Sequence, residues 1–71
     1  MVAAVISARL IPWKPGMVPG IAYELDDGSQ ACVAGRLAWT IPGLMQRLSP
    51  SDQRQFEEQM SDAYGGATAE C

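Results

Sequence analysis

The sequence predicts a small α+β domain: a three-stranded antiparallel sheet, then two short helices packed on one of its faces. Three observations predict it. Residues 2–11 are rich in β-branched side chains, Asp26-Asp27-Gly28 is a turn signal between two strand-like runs, and Ser49-Pro50 opens a segment with helical spacing.

Residues 2–11 (VAAVISARLI) form the first predicted strand. One alternating face carries Val2, Ala4, Ile6, Ala8 and Leu10 and is wholly apolar, as a strand packed on a core should be. The other face, Ala3, Val5, Ser7, Arg9 and Ile11, is mixed. The alanines make helix the competing reading. β-branched Val2, Val5, Ile6 and Ile11 favour strand. Pro12 ends it, because proline cannot donate to a ladder.

Residues 12–20 (PWKPGMVPG) contain Pro15-Gly16 and Pro19-Gly20. Proline sets φ near −65° at the second turn position and glycine tolerates a positive φ at the third, so each pair predicts a type II turn. The loop is therefore stiff, and it carries Trp13, Lys14, Met17 and Val18. Two readings follow. These side chains fold back as a lid on the core, or they form a rigid anchor that loses little entropy when a partner binds.

A hairpin is predicted over 21–25 and 29–35. A two-residue turn would mix polar and apolar side chains on each face. A three-residue loop pairs Ile21 with Val33, Tyr23 with Ala31 and Glu24 with Gln30, which gives one apolar and one polar face. That register puts Gly28 at the left-handed position of a bulge and Cys32 beside Ala22 on the more polar face. Residues 35–39 either prolong the strand or bend towards the helices.

The first helix is predicted at about 41–48. Thr40 is its N-cap, Pro42 sits in the first turn, and Trp39 and Leu44 have the spacing of a hydrophobic staple. Ile41, Leu44, Met45 and Leu48 make its apolar stripe. The second helix is predicted at about 50–64, with Ser49 as N-cap, Pro50 at the first helical position and Asp52 in the first turn. Phe56, Met60, Ala63 and Tyr64 form its stripe, while Gln53, Arg54, Glu57, Glu58, Ser61 and Asp62 face water. Gly65 is a natural end to it. The domain thus spans 1–65, with a flexible tail at 66–71.

Composition narrows the function. The 71 residues include no histidine and no glycine-rich phosphate loop, and the only cysteines are Cys32 and Cys71. No serine or cysteine has a histidine to activate it, and Asp26 and Asp27 are explained by the turn, so the protein is expected not to be an enzyme. No metal and no cofactor are expected, because soft or borderline ligands are scarce. Two distant cysteines leave a single bridge open without framing a disulfide scaffold. The net charge is −3, and Arg9, Lys14, Arg36, Arg47 and Arg54 are scattered, so no basic stripe for nucleic acid is present. The apolar run at 2–11 is too short to span a membrane and lacks the flanks of a signal peptide, which makes the cytoplasm the expected location.

An apolar fraction of 48% in so short a chain points to a partner protein that covers exposed apolar surface. The expected function is a non-enzymatic protein-binding module, an inhibitor or modulator of a larger host protein, in the style of small accessory proteins of phages and mobile elements. Trp13, Lys14, Met17 and Val18 are the candidate anchor, and the acidic face of Glu57, Glu58 and Asp62 the candidate rim. The alternatives are a structural homodimer joined through the first strand, or a small ligand-binding domain whose pocket needs two chains to reach a useful size.

Overall fold

The computed structural model describes residues 3–14 and 17–62. The element order is β1 (Val5–Leu10), β2 (Gly20–Leu25), β3 (Gln30–Ala34), a 3-10 helix (Gly35–Thr40), α1 (Leu44–Arg47) and α2 (Pro50–Asp62). The sheet is antiparallel with strand order β1-β2-β3, so the α+β architecture is as the sequence predicts. The core consists of Val5, Ile21, Val33, Ala38, Leu44, Leu48 and Phe56, drawn from the sheet and from the helical half.

The hairpin has the predicted register: Ile21 faces Val33, Ala22 faces Cys32, Tyr23 faces Ala31 and Glu24 faces Gln30. Gly28 has φ 88°, and its N–H donates to the Leu25 carbonyl at 3.0 Å, which is the three-residue loop with a glycine bulge. Asp27 clasps the tip. Its carboxylate accepts from the Ser29 hydroxyl and N–H, and these bonds hold the Asp27 carboxyl below its ordinary range.

β1 departs from prediction. It begins at Val5, and a bulge between Val5 and Ser7 shifts its pairing with β2. The extra residue reverses the alternation. Val5 therefore joins the core at 5% exposed, while Ile6, placed by strict alternation on the core face, is 46% exposed. Val2 lies outside the described residues. The Arg47 side chain donates from Nε to the Val5 carbonyl at 3.1 Å, tying α1 to this edge strand.

The Pro-Gly pairs also divide differently. Gly20 is a strand residue without a left-handed φ; it pairs with Ala34, and its carbonyl accepts from the Ile11 N–H at 3.0 Å. Pro19-Gly20 is therefore not a type II turn. Pro15-Gly16 lies outside the described residues, although the Met17 N–H donates to the Lys14 carbonyl at 3.1 Å across it. The type II geometry appears at Pro42-Gly43 instead. Gly43 has φ 79° and ψ −6°, and the Leu44 N–H donates to the Ile41 carbonyl at 3.2 Å. A left-handed residue cannot continue an α-helix. That shortens the first helix from the predicted 41–48 to Leu44–Arg47, and the Thr40 hydroxyl donates to the Leu37 carbonyl rather than capping it.

The segment left open between strand and bend is the 3-10 helix. It starts at Gly35, whose φ is 60° and whose N–H donates to the Pro19 carbonyl at 2.8 Å. Trp39, expected to staple onto Leu44, is 48% exposed; its ring packs on Phe56 with centroids 5.1 Å apart and planes tilted by 59°.

α2 starts as predicted, with the Asp52 N–H donating to the Ser49 hydroxyl at 3.2 Å. Replacing Ser49 with Ala is expected to lower stability by about 1 kcal/mol in a urea titration, because that N–H loses its acceptor. Gln53 does not face water. It is half-buried, and its amide donates to the carbonyls of Met45 at 2.9 Å and Leu48 at 3.1 Å, closing the end of α1. Gln59 is buried too, and its Oε1 has no hydrogen-bond partner among the described residues. Ala63, Tyr64, Gly65 and the tail at 66–71 lie outside the described residues. Cys32 is disulfide-bonded; the sequence leaves a single bridge open, and Cys32 takes part in one. The chain's other cysteine, Cys71, lies outside the described residues. No helix among the described residues is long and apolar enough to cross a membrane.

Candidate protein-binding site

The loop between β1 and β2 is built on a tight base. The Ile11 N–H bonds the Gly20 carbonyl, which carries the β1–β2 ladder one step past Leu10. Pro19 is fully buried, and its carbonyl is held by the N–H of Gly35. Between these points the Trp13 indole Nε1–H donates to the Met17 carbonyl at 2.7 Å. With the bond from the Met17 N–H to the Lys14 carbonyl, it staples the loop to itself. A half-buried indole needs a partner for its N–H, and here the partner is internal. The ring is left to present apolar surface.

Trp13, Lys14, Met17 and Val18 come together. With Ile11, Pro12 and Gly20 they line a cavity of about 170 Å³. Trp13, Met17 and Val18 are half-buried, and Lys14 and Pro12 are exposed. Val18 also leans on Gly35: a Cβ on that glycine would lie 2.7 Å from Val18 Cγ1. The loop is both partly packed on the body, as the lid reading holds, and hollow on its other side, as the anchor reading requires.

The acidic residues are placed separately. Glu57, Glu58 and Asp62 are exposed on α2, and none of them lines the cavity. The structure thus joins the four predicted anchor residues and does not join the acidic rim to them.

Two features escaped the sequence reading. Leu37 is 63% exposed, and with half-exposed Trp39 it makes the 3-10 helix the most open apolar segment described. Its signal is slight: two large apolar residues two apart, after a glycine, in a stretch without clear periodicity. The second feature is an apolar hollow of about 430 Å³ lined by Ala3, Ala4, Val5, Tyr23, Leu25, Ile41 and Pro42, larger than expected for a single chain of this size.

No group of three or more acidic, histidine or cysteine side chains among the described residues is arranged to hold a metal ion. No family model, no curated protein and no solved structure matches the chain. The fold and its surfaces define the class: a small α+β domain with a stapled apolar loop at one end of its sheet.

Proposed function

We propose that the protein is a non-enzymatic binding module that occupies a surface on a larger protein, as an inhibitor or modulator, and that the stapled loop is its anchor. One observation carries this reading: Trp13, Lys14, Met17 and Val18 line one cavity, and hydrogen bonds tie both Trp13 and Lys14 to Met17. Pre-organised aromatic and apolar side chains are the usual source of binding energy, because little ordering remains to be done on association. The histidine-free composition supports a role without catalysis. Glu57, Glu58 and Asp62 then serve as a separate acidic face that steers a basic partner rather than rimming the anchor.

Replacing Trp13 and Met17 together with Ala tests the assignment. With the fold retained by circular dichroism, affinity for the partner is expected to fall at least about 30-fold, the loss of a hot spot. Unchanged affinity in a folded double variant would remove the loop from the interface.

The 430 Å³ hollow favours a second reading, a small apolar ligand bound beside Tyr23 and Ile41. The dimer alternative would use the outer edge of β1, where Arg47 already occupies the Val5 carbonyl. Native mass spectrometry separates the readings. A bound small molecule, or a discrete dimer, would favour one of these two over the binding module.

A further inference from the structure

The anchor loop offers a potential partner two things, an apolar hole and one cation. The hole, about 170 Å³, is close to the size of an apolar cavity that takes a benzene ring, about 150 Å³. It therefore suits one aromatic or branched aliphatic side chain, not an extended hydrophobic surface. The Trp13 indole N–H, the obvious polar handle, is already bonded to the Met17 carbonyl. The remaining charged group on the wall is Lys14, exposed, and the only lysine of the chain. No carboxylate among the described residues lines the cavity to neutralise it, although the chain carries eight Asp and Glu.

We infer that the loop recognises a peptide segment in which an apolar side chain is followed directly by a carboxylate. The apolar group fills the hole beside Trp13 and Met17, and the carboxylate meets the Lys14 ammonium at its rim. This rests on the loop being the protein-binding anchor and names what that anchor selects. Desolvated apolar contact supplies the affinity, and the exposed ion pair supplies the selectivity.

The test uses the full chain, labelled with nitrogen-15, and three blocked peptides, acetyl-Gly-Phe-Asp-Gly-amide and its Asn and Lys counterparts. The reporter is the Trp13 indole N–H resonance, assigned by its loss in Trp13→Phe. The expected order of affinity is Asp above Asn above Lys, with about threefold between neighbours, the worth of an exposed charge pair. Lys14→Glu, a change at an exposed position that should leave the fold intact, is expected to reverse the order. Equal shifts from all three peptides would overturn the carboxylate preference and leave the apolar anchor standing. No shift of the Trp13 resonance from any peptide would overturn this inference. The anchor reading would then stand or fall on the Trp13 and Met17 double variant alone.

Discussion

Phe56→Ala is expected to abolish cooperative folding. Phe56 is fully buried, and it is the largest of the fully buried side chains. It sits in the core with Leu44, Leu48, Ile21 and Val33, and Trp39 packs against its ring at a tilt. Deleting a buried Phe side chain removes about 3–5 kcal/mol, part transfer and part cavity. Small domains have totals near the low end of about 5–15 kcal/mol. The loss is therefore comparable to the whole stability. A broad, non-cooperative urea transition and a loss of near-ultraviolet circular dichroism are the expected results. Phe56→Leu fills most of the space and should keep a cooperative transition. If Phe56→Ala unfolded cooperatively within about 1 kcal/mol of the parent, the core would not be centred on this residue.

Gly35→Ala carries the second-largest expected effect, for a different reason. Its φ of 60° is a left-handed conformation that costs an L-residue about 1–2 kcal/mol. A Cβ would also meet Val18 Cγ1 at 2.7 Å, so the Val18 side chain must shift. The sum is about 2–3 kcal/mol. Gly28 isolates the backbone part, since its φ is 88° but no described residue lies within 4 Å of its missing Cβ. Gly35→Ala should therefore lower stability more than Gly28→Ala, and it alone should move the Trp13 indole resonance, because Val18 lines the same cavity as Trp13. Equal effects on stability with no change at Trp13 would mean that Gly35 and the loop are not packed together.

These two positions show what the sequence could and could not reveal. The hairpin register was legible because only one pairing separates polar from apolar residues, and Asp-Asp-Gly allows the matching loop. The Ser49 cap was legible because its signature is local. The bulge in β1 was not, because Val5 and Ile6 are adjacent and equally apolar; either suits the core face. Three Pro-Gly pairs carry the same turn chemistry, and tertiary context decides among them. Gly20 is committed to the sheet through Ala34 and Ile11, whereas Pro42-Gly43 has no strand to join and takes the turn. The helical stripe through Ile41, Leu44 and Leu48 concealed that turn, because a one-turn helix after a tight turn buries the same residues.

The candidate site was half legible. Clustered Pro and Gly pointed to a loop around Trp13 and Met17, and both side chains line one cavity, although Pro19-Gly20 is not the turn that was to stiffen it. Spacing along the chain could not reveal that the acidic face of α2 lies apart from that cavity. Nor could it reveal that Leu37 stays exposed, because a 3-10 helix of a single short segment leaves no periodic signature.

Leu37 supplies the sharpest contrast for the central claim, since it is a more exposed hydrophobe than any in the loop. A photoreactive phenylalanine analogue placed at Pro12, on the cavity wall, should capture one protein partner in its native cell, and Trp13→Ala in the same chain should abolish the adduct. The analogue at Leu37 should give no adduct with that protein. Capture from Leu37 and none from Pro12 would contradict the account and move the interface to the 3-10 helix.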